Sequence, residues 1–301
     1  MKSYEGVIIL GAHRSGTTML RRLLDGHSQI CCPPETNVFA GMGRFMREDR
    51  FNDGTLGVVS GLAFAGLPPD ETIPMLREFA FGLHRAVAKK QSKPIWASKT
   101  ALDSLYVDQI EALCGDASRF VCITRHGADV ACSVLELCVK QEAFLPELHD
   151  YVRACPFPLE AFGKMWVDVT RRLQRFAKDH PDNTLSIRYE DLVADPRATM
   201  DALFRFVGVE PEPVVDTALK RTENVGPGDF KAYGRPTVDA SSVGRWKKLP
   251  ALTRSRLGAV MNETLVSAGY EAMPVVPEPS AEEMRRRYQM GLLLQSMKRP
   301  E

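Results

Sequence analysis

A glycine turn with an arginine at its centre, Gly11-Ala-His-Arg-Ser-Gly16, runs straight into two threonines, Thr17 and Thr18. The apolar run Val7 to Leu10 leads into the turn, and Leu20, Leu23 and Leu24 follow at helical spacing. A strand, a glycine loop and a helix start aim backbone N–H groups and the positive helix end at an anion. The common nucleotide loop reads G-x-x-x-x-G-K-[ST]. Here the glycine spacing is kept, but Thr17 stands where the lysine would be and Arg14, with His13 beside it, supplies the cation. Such a turn suits a phosphate-like group other than the triphosphate of ATP, with His13, Arg14, Ser15, Gly16, Thr17 and Thr18 as its donors.

Four other positions carry chemistry. Arg125 follows the buried-strand run Arg119–Thr124, and a charge leaving such a strand needs an anion. Its fork can hold a phosphate bidentately. Ser133 lies about two helical turns on, on the same side of a crevice. An internal ion pair with Asp129 is the structural alternative for Arg125. Lys99 ends the β-like stretch Pro94–Ser98, and Glu35 follows Pro33-Pro34 in a loop where it could take a proton as general base. A surface-loop Glu35 and a solvated Lys99 are the plain readings. Arg245, Trp246 and Lys247 combine charge with an aromatic face, which suits a phosphate beside a purine; a solvated turn with one packed tryptophan competes.

These residues need a scaffold that brings strand ends together. Helix follows strand repeatedly: a helix from Thr18 to Gly26, a short strand at Gln29–Cys32, a helix over Ile73–Lys90, then the stretch delivering Lys99. Next come a helix over Tyr106–Cys114, the strand Arg119–Thr124, a helix through Leu137, a long amphipathic helix Leu159–Lys178, a strand Thr184–Tyr189 and a helix Pro196–Val207 closed by Gly208. This alternation predicts an α/β fold: a three-layer αβα arrangement with a P-loop and a central, mostly parallel sheet. Ligands in such sheets sit at the carboxyl ends of strands, where Arg14 and Arg125 fall. Residues 40–72 read as a loop-and-helix lid, and with the stretch 139–158 (Phe144, Leu145, Tyr151, Phe157) they would shape an acceptor pocket. The main domain is expected over 1–272. Beyond it, Met273–Ser280, with Pro274, Pro277 and Pro279, reads as a linker, and Ser280-Ala-Glu-Glu283 as a capping box opening a last helix that packs on the domain or a partner.

The 301 residues carry 39 basic and 38 acidic side chains, a formal net charge of +1, so neither a nucleic-acid nor a membrane footprint is expected and any anion site must be a local cluster. Seven cysteines lack paired C-x-x-C spacing, which argues for reduced thiols and against a metal site, with reactivity at Cys31-Cys32 left open. Val7–Leu10 is too short for a signal-peptide core, so a cytoplasmic location is expected. A homodimer is left open.

The octad Gly11-x-x-Arg-Ser-Gly-Thr-Thr18 resembles the 5′-phosphosulfate-binding loop of the sulfotransferase superfamily, which uses 3′-phosphoadenosine 5′-phosphosulfate (PAPS) and releases 3′-phosphoadenosine 5′-phosphate (PAP). Three further segments are similar in the same order. Arg125 with Ser133 resembles the family's 3′-phosphate-binding pair; Arg188-Tyr-Glu-Asp-Leu192 resembles the segment whose tyrosine, here Tyr189, lies by the adenine; and Gly244-Arg-Trp-Lys247 resembles the basic segment that closes over the donor. His126 and Gly127 depart from the family's usual residues after the arginine, and Ala101 stands where some branches place a catalytic histidine. Because Pro33-Pro-Glu-Thr36 follows the loop, the chain most resembles the tyrosylprotein-sulfotransferase branch and its bacterial relatives.

The resemblance implies PAPS-dependent transfer of a sulfonate to a hydroxyl by in-line displacement without a metal, and the aromatic and aliphatic content of 40–72 and 139–158 favours a small, natural-product-like acceptor. Glu35 would be the base, and Arg14 and Lys99 would steady the sulfonate. Protein-tyrosine or carbohydrate sulfation are alternatives. A P-loop kinase would need a lysine at Thr17 and an acidic strand end where Arg125 stands. A module that binds the nucleotide without catalysis would bind PAP and transfer nothing.

Overall fold

The computed structural model describes residues 4–51, 54–143, 146–220, 237–277 and 280–297. Phe144, Leu145 and Pro279 lie outside the described residues. Five parallel strands form the central sheet in the order β2–β5–β1–β6–β7 (β1 Val7–Leu10, β2 Ile30–Cys31, β5 Ile95–Lys99, β6 Arg119–Thr124, β7 Thr184–Arg188). Parallel strands need crossovers, and their helices cover both faces. The pleat of β1 shows why it is apolar throughout. Ile8 and Leu10 join the core beneath α5 (Val107–Cys114), α6 (Gly127–Gln141) and α8 (Pro158–Asp179). Val7 and Ile9 join the core beneath α1 (Thr17–Asp25), α9 (Tyr189–Ala194) and α10 (Pro196–Val207).

The chain leaves β1 toward β2 and β5 on one side and toward β6 and β7 on the other, so the turn after β1 sits at the switch point. In register, Ile9 lies opposite both Lys99 and Val121, which puts Lys99, the glycine turn and Arg125 at three adjacent strand ends. The expected α/β architecture and all five strands of this sheet are present.

Several boundaries differ from expectation. Tyr189 is not in a strand but opens α9, with Glu190 and Asp191 in the first turn, where acids favour a helix N-terminus. The 40–72 stretch holds α2 (Val38–Phe45), a small hairpin (β3 Asp49–Phe51, β4 Gly54–Leu56), α3 (Val58–Phe64) and the start of α4 (Pro69–Lys90). The 139–158 stretch holds the end of α6, a 3₁₀ turn at Pro146–Leu148 and α7 (His149–Ala154). A further helix, α11 (Ala251–Ser267), was not anticipated; it buries Leu257, Met261 and Leu265 at i+4 spacing.

The capping box at Ser280–Glu283 forms reciprocally: Glu283 N donates to Ser280 Oγ at 3.2 Å and Ser280 N to Glu283 Oε2 at 3.0 Å. It opens α12 (Ala281–Met297), whose side chains are all exposed, so α12 buries nothing on the domain. No described helix is long and apolar enough to cross a membrane.

Candidate active site

The glycine turn is built on two left-handed residues, Arg14 at φ 70° and Gly16 at φ 94°. A side chain at Gly16 would strike the Tyr189 ring, since a Cβ there would sit 2.4 Å from Cδ2. Gly11 is equally tight against the Ile123 main chain, where a Cβ would lie 2.7 Å from its oxygen. Gly16 caps α1 without a side-chain hydrogen bond, and Thr17 and Thr18 are buried in the first turn. The helix end thus presents N–H and hydroxyl donors with the positive end of its dipole.

Arg14 Nε donates to Ser133 Oγ at 3.0 Å, which joins the loop arginine to α6. Arg125, 4% exposed, donates from Nη1 to the Arg14 carbonyl at 3.0 Å and from Nη2 to the Ser242 carbonyl. Its guanidinium carbon lies 4.6 Å from the Tyr189 ring centroid. The structural alternative for Arg125, an ion pair with Asp129, does not form. Both carboxylate oxygens of Asp129 accept backbone N–H groups from Gly244 and Trp246. Among the described residues no carboxylate forms an ion pair with Arg125, and burial pushes its pKa down. The guanidinium bonds two carbonyls and faces a ring, with Asp129 and Glu190 acting on it only through space, and a buried cation so placed can take up an anion.

On the other side of the turn, Lys99 Nζ donates to Thr18 Oγ1 at 3.0 Å and is ion-paired with Glu35. The lysine is thus neither solvated nor remote, and Glu35 is no plain surface-loop residue. The His13 imidazole is buried among Glu35, Lys99 and Glu147, and burial lowers its pKa to about 4. It is neutral near pH 7. Ser15 is also fully buried in the turn.

Arg44 of α2 is ion-paired with Glu147 in the 3₁₀ turn and donates to Tyr106 Oη at 3.2 Å, which ties together the two stretches expected to wall the acceptor pocket. Of the aromatic residues expected there, Tyr151 packs against the core, while Phe157 is 49% exposed beneath the Arg256 guanidinium.

The segment at 244–248 is a short 3₁₀ turn. Arg245 pairs with Glu136 at 2.9 Å, Trp246 stacks on His126 with ring centroids 4.8 Å apart and planes 8° from parallel, and Lys247 is exposed. Glu190 accepts from the His126 N–H at 3.0 Å and from Tyr270 Oη at 2.8 Å. Sequence reasoning missed Arg44 with Glu147, and Glu190. Glu190 alone had a visible signal, its place beside Tyr189.

All seven cysteines are free. Burial raises Cys31 to about 11 and Cys32 to about 12, so the thiols nearest the turn are protonated and unreactive at neutral pH. Among the described residues no three His, Cys, Asp or Glu side chains gather as a metal set.

Comparison with known proteins bears on the family and the fold. A model of the sulfotransferase family matches residues 6–213. The nodulation protein NoeE of Sinorhizobium fredii is 25% identical over 281 residues, covering 87% of this chain and 65% of that protein. Mouse carbohydrate sulfotransferase 4 is 28% identical over 117 residues, 38% of this chain and 30% of its own. The chain therefore spans less than two thirds of these relatives. Among solved structures, the sulfotransferase domain of the curacin biosynthetic pathway superposes with a TM-score of 0.60 at 19% identity, covering 90% of this chain and all of that one. The corresponding domain of the Synechococcus PCC 7002 olefin synthase gives 0.60 at 18%, covering 92% and 98%. At these identities the superpositions speak to the fold, while the family match speaks to the chain itself. The chain belongs to the sulfotransferase family.

Proposed function

We propose that this sulfotransferase-family chain moves the sulfonate of PAPS to a hydroxyl of a small, partly apolar acceptor. The observation that carries the donor is Arg125, a buried guanidinium with no carboxylate in ion-pair contact among the described residues, beside Arg14 and the open start of α1. When bound, PAPS supplies an activated sulfonate on a 5′-phosphate that can leave. Arg125 and Ser133 would hold its 3′-phosphate, and Tyr189, against Gly16, would lie near the adenine. Arg14 and the first-turn donors of Thr17 and Thr18 would offset charge on the leaving phosphate, as positioning and electrostatics do in phosphoryl transfer. The turn at Arg245–Lys247 would close over the nucleotide.

Glu35 would accept the proton from the acceptor hydroxyl as its oxygen attacks. Lys99, already in contact with Thr18 and Glu35, would steady a sulfonate oxygen. The natural-product preference draws on the curacin and olefin-synthase domains. A carbohydrate hydroxyl is the second reading, favoured by the match to mouse carbohydrate sulfotransferase 4.

A thermal-shift comparison of PAP with ATP–magnesium tests the donor. Stabilisation by PAP is expected; stabilisation by ATP–magnesium alone would overturn the reading. A panel of radiolabelled transfers to aliphatic alcohols, phenols and oligosaccharides separates the two acceptor readings.

A further inference from the structure

A segment far along the chain is fastened to the donor site by one carboxylate. Asp129, fully buried in the first turn of α6, accepts from Gly244 N at 2.7 Å through Oδ2 and from Trp246 N at 2.9 Å through Oδ1. Gly244 is left-handed, at φ 74°, and caps the 3₁₀ turn Arg245–Lys248, so the carboxylate satisfies backbone donors at the start of that turn from another helix. Charge-assisted bonds of this kind are short and strong. Two further contacts, from neighbours of Asp129, act on the same segment: the Ser242 carbonyl accepts from Arg125, and Trp246 lies flat on His126. Arg125, His126 and Asp129 therefore grip one short stretch within the first turn after β6.

We infer that Asp129 is a positioning residue for donor binding. It touches no reacting atom. By fixing the N–H groups of Gly244 and Trp246, it sets where Arg245, Trp246 and Lys247 stand over the nucleotide, and it keeps the Ser242 carbonyl beside the guanidinium that is to meet the 3′-phosphate. Both carboxylate oxygens of Asp129 are thereby engaged by backbone N–H groups, so it acts on the Arg125 guanidinium through space and makes no direct ion pair with it. The inference rests on the PAPS reading for its consequence, but not for the clasp itself.

The test uses the full chain with Asp129→Asn, which keeps the shape and turns one acceptor oxygen into a donor, and Asp129→Glu, which keeps the charge and moves the carboxylate by one methylene. Three readouts apply: Trp246 fluorescence, assigned with Trp246→Phe; PAP affinity by calorimetry; and the split between donor KM and kcat. Both variants should shift Trp246 emission, bind PAP at least about tenfold more weakly and raise donor KM by a similar factor, with kcat at saturating donor within about threefold. A merely structural residue would lower the melting temperature without that split.

Wild-type PAP affinity and unchanged Trp246 emission in a folded Asp129→Asn protein would overturn the inference. So would full donor affinity in Asp129→Glu. If the wild-type chain does not bind PAP at all, the donor reading fails, and the Trp246 emission still decides the clasp. Should Asp129→Asn fail to fold, tryptic cleavage after Arg245 and Lys247 in Asp129→Glu gives the same decision, faster cleavage supporting the clasp and an unchanged rate opposing it.

Discussion

Lys99 and Glu35 form an ion pair at the end of β5, with the lysine side chain 1% exposed and the glutamate 22% exposed. The buried member is the cation, and the carboxylate keeps one edge toward solvent, where an acceptor hydroxyl would arrive. Glu35→Gln should lower kcat by about 10²–10⁴, the usual worth of a general base. PAP binding should persist, because Glu35 contacts none of the groups assigned to the donor's phosphates. Full turnover in Glu35→Gln, measured by sulfonate transfer from labelled PAPS, would move the base elsewhere.

Lys99→Met removes a charge that Thr18 and Glu35 both use. Breaking a fully buried pair costs roughly 3–5 kcal/mol. Glu35 reaches water, so about 2 kcal/mol is expected here, read by chemical denaturation. Activity should fall further than stability, by about 10²-fold in kcat, if the ammonium meets charge that develops only in the transition state.

Gly16→Ala strains a left-handed position and drives a Cβ into Tyr189. A loss of more than about 1 kcal/mol in stability is expected. PAP affinity should drop with it, since Tyr189 and the turn must part. A variant with unaltered melting and PAP affinity would show that the turn has slack there.

Stability should peak near pH 6.5. Burial lowers His13 and His126 to about 4, so both stay neutral when folded, and protonation of the unfolded chain below about 6.5 withdraws stability as pH falls toward 4. Burial raises the Asp103 carboxyl to about 8, against the opposing pull of the Ala40 and Thr100 N–H groups and of Lys99. The unfolded chain then holds fewer protons than the folded one between about 4 and 8, so stability falls as pH rises through that range and levels off above it. The buried histidines, with His84 also lowered by burial, outweigh Asp103 on the acid side, and among the described residues Asp103 sets the slope from about 6.5 to 8. Melting temperatures of wild type and Asp103→Asn across pH 5–9 test this: the alkaline slope should flatten in the variant.

Deleting 281–301 should leave the melting temperature within about 1 °C, because no described side chain of α12 is buried. A substantial drop would mean that α12 is covered in solution, and its size would scale with the apolar area so covered.

The parts legible in the sequence were those where one local pattern has one structural answer. Val7–Leu10 and Arg119–Thr124 are apolar strands between helices, and Ser280 with Glu283 is a capping box. The glycine turn announced itself by spacing alone. Tyr189 was placed in a strand because Leu185 and Ile187 alternate with polar residues, whereas the acids after it mark a helix start. Helix α11 escaped because its polar and apolar residues are nearly evenly distributed around it, and only burial of Leu257, Met261 and Leu265 reveals its inner side. The clasp of Asp129 on Gly244 spans 115 positions, and no local periodicity records a contact at that range.

Because β1 lies between β5 and β6, Lys99, the glycine turn and Arg125 rest on three adjacent strand ends of a hydrogen-bonded ladder, while the stretches expected to wall the acceptor pocket are built of elements outside that ladder. On the proposed function, the donor and the acceptor hydroxyl would then be chosen by different elements. Exchanging the wall stretches with those of another family member should retarget the hydroxyl that is modified without retuning the nucleotide, which makes this chain a chassis for altered sulfation.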